Sequence, residues 1–292
     1  MPEPTPQRLP HVSFGALNRY RRLMALLQRL SPALAARVGL SLFLRPSRRR
    51  PDARDLLLLG QAHRSTLRCA GQKLCIYQWG NGARQAVLVH GWGSHAPRFA
   101  PLVEALLKAG WRVTAFDAPA HGESTGRRSS LPQFQQALLA VLARQGAADV
   151  LIGHSLGALA IALTLGEGHV APPPRGAVLI SMPRGVPFLL GRYQEMFGIG
   201  PATAARFGEL FLRRFGHQPE HYAATHLPAR LPLLFIHDKG DDVVPVAHSI
   251  ELAASTPDAQ LHLTQGLGHS GLLRDPDTID VIVHFAQGLV HD

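Results

Sequence analysis

The chain has 292 residues, of which 46% are apolar and 17% charged. That is long enough for one α/β domain with additions and unlike a disordered chain. The net charge of +10 is unevenly placed: residues 1–60 hold eleven Arg against Glu3, Asp52 and Asp55, while the other 232 residues hold nineteen Lys or Arg against seventeen acids. No basic–aromatic motif accompanies the N-terminal charge, so no nucleic-acid partner is expected. A focused basic segment is suited instead to weak contact with an anionic membrane surface through residues 1–60. Cys69 and Cys75 cannot make a disulfide framework or a Cys-rich metal site, and are expected to pack as small hydrophobes on neighbouring strands. Met-Pro-Glu-Pro-Thr-Pro lacks the basic and apolar regions of a signal peptide, so a cytoplasmic location is expected.

Leu23, Leu26, Leu27 and Leu30 follow helical spacing, and Ser31-Pro32 reads as an N-cap with Pro at the first helical position. Leu34, Val38 and Leu42 continue a second helix that Pro46 and the run Ser47–Pro51 end. This predicts a helical hairpin packed on the main domain. A sharper reading is an interfacial helix with Arg on its polar face. Arg29, Pro32 and Arg37 interrupt the stretch Leu23–Leu44, so it falls short of the ~20 apolar residues of a membrane span.

From residue 64 the pattern changes. Arg64–Ala70 and Lys73–Trp79 around Gly71-Gln72 predict a hairpin. Strands are then expected at 86–90, 111–117, 149–153, 176–181, 233–237 and 260–264. Helices are expected at 97–108, 131–144, 155–165, 245–254 and 278–288. This alternation predicts an α/β fold, a mostly parallel twisted sheet with helices on both faces. Met182–Arg230 is too long for one crossover helix and carries Phe188, Leu189, Phe207, Leu210, Phe211 and Phe215 at helical spacing. It reads as an inserted helical cap. The expected division is a basic helical extension at 1–60, a core at 61–181 and 231–292, and the cap at 182–230.

Gly153-His154-Ser155-Leu156-Gly157 lies between the apolar run Val150–Ile152 and a Pro-free helical run. A Gly-x-Ser-x-Gly match arises by chance about 0.13 times in such a chain, so its strand–turn–helix setting carries the signal. That setting makes Ser155 the candidate nucleophile. His90-Gly91-Trp92-Gly93 follows a strand, and its Trp92 N–H, with the Leu156 N–H, is the candidate oxyanion hole. Three carboxylates follow the strand at 233–237, and the order of preference for the triad acid is Asp241, Asp242, then Asp238, the last suited to a turn. His269, in Gly266-Leu267-Gly268-His269, sits on a short glycine-rich loop after the last strand and is the candidate base. His90, His121, His154 and His237 are expected to make structural hydrogen bonds. No His-Glu-x-x-His or Cys-rich set is present, so no metal is expected.

Together these segments resemble the α/β-hydrolase fold family of lipases, esterases and carbon–carbon hydrolases. His90–Gly93 is similar to its oxyanion loop, Asp117-Ala118-Pro119-Ala120-His121-Gly122-Glu123-Ser124 to its Asp-x-Pro-Gly-His-Gly-x-Ser segment, and Gly153–Gly157 to its nucleophile elbow. Asp241–Pro245 is similar to the acid segment and Gly268-His269 to the base loop. Ala120 stands where the family usually has Gly, and Asp238 where a Gly often follows the His. The resemblance implies a serine hydrolase that needs no cofactor and cleaves a small-molecule carboxylic ester through an acyl-enzyme. The apolar insertion points to hydrophobic or short-to-medium acyl groups. Thioester, lactone or carbon–carbon cleavage, acyl transfer, and a non-catalytic binder of the same fold are the alternatives. Ser rather than Asp at the elbow argues against dehalogenase and epoxide hydrolase chemistry.

Overall fold

The computed structural model describes residues 14–289. The chain divides into two compact units. One comprises Pro46–Arg184 with Ala224 onward, and the other joins the N-terminal segment up to Arg45 to Gly185–Ala223.

The first unit is built on an eight-stranded sheet. Its strands are β1 (His63–Cys69), β2 (Gln72–Trp79), β3 (Gln85–Val89), β4 (Arg112–Phe116), β5 (Val150–His154), β6 (Gly176–Ile180), β7 (Leu233–Asp238) and β8 (Gln260–Thr264). The order is β1-β2-β4-β3-β5-β6-β7-β8. β1 and β2 form the antiparallel hairpin, and β2 pairs antiparallel with β4. From β4 through β8 every pairing is parallel. The central strands read as continuous apolar runs because both sheet faces are covered: β3, β5, β6 and β7 are buried throughout. Helix α6 (Leu156–Gly166), apolar all round, is buried from Leu156 to Leu165. The two free cysteines lie on neighbouring strands, with Thr66 rather than Cys69 opposite Cys75.

Helix α3 (Ala53–Gly60) has no counterpart in the expected elements. Asp52 and Asp55 make a reciprocal capping box, with Asp rather than the usual Glu at the third helical position. The segment from Pro46 through α3 belongs to the sheet unit, so the extension ends near residue 45 instead of 60. Arg54 pairs with Glu104 at 2.7 Å, and Arg274 donates to Asp52 at 2.5 Å. The expected helix at 97–108 begins as a tight 3-10 turn, Ala96–Phe99, before α4 (Ala100–Lys108).

The second unit is helical: α1 (Phe14–Leu30), α2 (Pro32–Phe43), α7 (Val186–Phe197) and α8 (Pro201–Phe215). Ser31 caps α2 by accepting from the Leu34 N–H at 3.3 Å, with Pro32 at the first position. Gly39 of α2 sits against the Phe207 ring of α8, and Tyr193 of α7 donates its hydroxyl to the Gly39 carbonyl at 2.9 Å. The N-terminal hairpin thus finds packing partners in α7 and α8, inside the segment expected to form a separate cap.

Candidate active site

Ser155 sits between β5 and α6 with φ 54° and ψ −119°, a strained backbone for a residue with a side chain. Close packing leaves no room for side chains on either flank. A Cβ on Gly153 would collide with the Ala158 backbone, and one on Gly157 with the carbonyl oxygens of Val89 and His90. Across Val150–Leu165 only Ser155 is open to solvent. The turn therefore lifts one hydroxyl off a buried strand end. Among the described residues that hydroxyl makes no hydrogen bond.

Asp241 follows β7. Its Oδ1 accepts from the Val243 and Val244 N–H groups, both at 2.9 Å, and its Oδ2 from His269 Nδ1 at 2.7 Å. His237 Nε2 lies 3.2 Å from the same Oδ2. Burial opposes the charge, but hydrogen bonds from His237, His269 and the Val244 N–H hold the Asp241 carboxyl well below the usual carboxylate range. Asp241 is therefore ionised and accepts only, so His269 Nδ1 is assigned as the donor of this bond.

The other two carboxylates are placed differently. Asp242 is exposed. Asp238 accepts from Gly240 N–H, Thr264 Oγ1 and Leu267 N–H at 2.8–3.0 Å, tying the β7 and β8 ends together.

His269 stands on a short helical turn, Gly268–Gly271, rather than an open loop, with positive φ at Gly266 and Gly268 on its approach. His154, the residue before Ser155, donates Nε2–H to the His269 carbonyl at 2.8 Å, and the two rings are 4.8 Å apart. Burial, with the neighbouring His269 adding to it, pulls the His154 pKa down to about 3, so it is a fixed neutral donor. His269 is thus held beside the elbow from both sides.

Trp92 follows β3, next to β5 in the sheet. The packing of Gly91 brings this loop against Ser155: a Cβ on Gly91 would lie 3.1 Å from the Ser155 Cβ. Among the described residues neither the Trp92 N–H nor the Leu156 N–H has a hydrogen-bond partner. Ser155, Trp92, Asp241 and His269 all follow the carboxyl ends of parallel strands, where open α/β sheets carry their sites.

His90, His121, His154 and His237 make the hydrogen bonds expected of structural histidines. His90 accepts the Ala118 N–H at Nε2 (3.0 Å) and gives Nδ1–H to the Gly91 carbonyl (2.7 Å). His121 bonds the Pro119 carbonyl, and His237 bonds Ser249 and the Val244 carbonyl. The segment 117–124 is a brace. Asp117 accepts from Ala96 N–H, Tyr77 hydroxyl and Glu123 N–H at 2.8–2.9 Å. Ala120 holds φ 65°, the left-handed conformation that favours the family's glycine.

Sequence reading missed Arg48. Its guanidinium donates to the carbonyls of Gly122, Ser124 and Gly126 at 2.9–3.0 Å, closing that brace from outside. In the sequence it is one Arg of the run Ser47–Pro51 that ends the second helix. Among the described residues no three His, Cys, Asp or Glu converge as a metal centre would need.

The profile described as "Alpha/beta hydrolase family" matches residues 86–280. With the sheet order and the strand-end site, this establishes that the chain belongs to the α/β-hydrolase family. Among its relatives is the pimeloyl-[acyl-carrier protein] methyl ester esterase of Aromatoleum aromaticum, 28% identical over 247 residues, covering 68% of this chain and 95% of that protein. A second is the 2-hydroxy-6-oxononadienedioate/2-hydroxy-6-oxononatrienedioate hydrolase of Pseudomonas sp, 26% identical, covering 70% of this chain and 88% of the other. Among solved structures, the Pyrococcus furiosus esterase Pf2001 shares the fold, with a TM-score of 0.61 and 22% identity over 84% of this chain and 97% of its own. Esterases and other hydrolases are thus the proteins this chain is similar to.

Proposed function

We propose that the protein is a serine hydrolase of carboxylic esters with Ser155 as nucleophile, His269 as base and Asp241 as the acid that orients it. The observation that carries this is the 2.7 Å bond from His269 Nδ1 to the buried Asp241 carboxylate, on a histidine bonded to the residue preceding a strained, half-buried serine. His269 Nε2 takes the Ser155 proton as Oγ attacks the ester carbonyl carbon. The N–H groups of Trp92 and Leu156 receive the developing oxyanion. Collapse breaks the carbon–oxygen bond, and His269 returns the proton to the leaving alkoxide. Water, losing a proton to His269, then attacks the acyl carbon on Ser155; the bond to Oγ breaks, His269 returns that proton to Oγ, and the acid departs. Asp241 stays ionised throughout, because its hydrogen bonds keep its pKa far below that of an imidazolium.

The similarity to an esterase of a pimeloyl-[acyl-carrier protein] methyl ester supports a short-to-medium acyl group, and the apolar residues of 182–230 support a hydrophobic one. A second reading has its own support. The substrate in the name of the Pseudomonas relative contains no ester, so hydrolysis there must break a carbon–carbon bond.

Ser155→Ala should lower turnover of short p-nitrophenyl esters by about 10⁴-fold or more and abolish labelling by a fluorophosphonate. Full activity in that variant would remove Ser155 from the mechanism. A parent enzyme that labels but cleaves only vinylogous diketones would move the assignment to carbon–carbon hydrolysis.

A further inference from the structure

Helix α1 packs with one side and leaves the other bare. Met24 is 1% exposed, Arg21 donates to the Met196 carbonyl, and Gln28 bonds Gly198 and Gly200. The opposite side carries Leu23, Leu26 and Leu30, exposed by 45%, 55% and 70%. At 100° per residue these three fall within a sector of about 60°. Leu34, at the start of α2, adds a fourth exposed leucine. Arg19, Arg22 and Arg29 are exposed on the same helix, and among the described residues none pairs with an acid. Residues 14–45 contain six Arg and no Asp or Glu.

Scattered exposed leucines are ordinary, but a leucine stripe with Arg19 in line at its N-terminal end and Arg22 and Arg29 along one flank is not. We propose that α1 lies in the plane of an anionic lipid surface, its leucines at the acyl boundary and its arginines on phosphates. Both chemistries of the helix are then satisfied by one partner. A second copy of the chain fits less well, because a two-fold pairing of the stripe would set arginine against arginine. Spanning is not the mode, since among the described residues no helix is long and apolar enough to cross a membrane.

The test is flotation of the full chain with phosphatidylcholine vesicles, with and without about one-third phosphatidylglycerol. Binding should be at least tenfold stronger with the anionic lipid and should fall as NaCl rises from about 0.05 to 0.5 M. L26E/L30E, with unchanged circular dichroism, should weaken it at least tenfold. R22E/R29E should weaken it roughly fivefold or more per site. Equal binding to neutral vesicles, or undiminished binding of L26E/L30E, would overturn the proposal. So would a dimer that L26E/L30E dissolves in a protein that binds no vesicle. None of these readouts uses ester turnover, so the outcome is independent of the catalytic reading.

Discussion

The sheet unit and the helical unit solve burial differently. Around the sheet, strands and covering helices enclose each other so completely that α6 has no exposed residue before its last, and glycine is required where backbones touch. In the helical unit each helix buries a stripe: α7 buries Val186 and Leu190, and α8 buries Thr203, Phe207 and Phe211. Of the glycines inside its helices, Gly191 and Gly208 face open space, and Gly39 meets only side chains, at ordinary contact distance. Dense packing suits a site that must hold a strained serine, because strain persists only where the surroundings over-determine it. The helical unit carries no such demand and can leave a face free.

Paired glycine substitutions sharpen this contrast. Gly157→Ala should cost the sheet unit at least about 3 kcal/mol, since the new methyl meets two carbonyl oxygens of β3 and the loop after it. All three tryptophans, Trp79, Trp92 and Trp111, lie in the sheet unit, so denaturant unfolding followed by tryptophan fluorescence reads that unit alone. An unchanged midpoint would mean that the elbow is not tightly packed.

Acid should separate the units next. Burial holds His90 down to about 4 and His154 to about 3, so both stay neutral in the fold. Below about pH 6.5 the unfolded chain binds protons that the folded chain refuses, so stability falls as pH drops from there toward 4. Each histidine should cost about 1 kcal/mol over the first pH unit. The described histidines of the helical unit, His217 and His221, are both exposed. The tryptophan transition should therefore weaken with acid more steeply than far-ultraviolet circular dichroism, which reads both units. Coincident slopes would break the comparison.

The smallest effect has the opposite sign. Gly208→Ala, in mid-α8 with nothing near its Cβ, should raise helical-unit stability by about 1 kcal/mol in thermal melts followed by circular dichroism. A loss there would show hidden packing.

Much of the sheet unit was legible because its signals are local. Apolar runs mark the buried strands, and glycines at fixed offsets mark the elbow. Asp241 ranks ahead of Asp242 because it is the first Asp of the segment that resembles the family's acid segment. The structure adds the physical distinction, since Asp241 is enclosed by two backbone donors and two imidazoles while Asp242 faces water. What escaped the sequence depends on distant partners. α3 hides behind an unusual Asp–Asp capping box, and Arg48 acquires meaning only when its three carbonyl acceptors, more than seventy residues away, come to it. The union of α1 and α2 with α7 and α8 has no local signature at all.

That union has a consequence during synthesis. Gly39 emerges from the ribosome roughly 170 residues before Phe207, which covers it. At ~5–20 residues per second the apolar side of α2 waits on the order of 10–30 s for its partner. Throughout that interval the nascent chain presents a ready client surface for a chaperone, and slowing translation between codons 45 and 200 would lengthen the exposure in proportion.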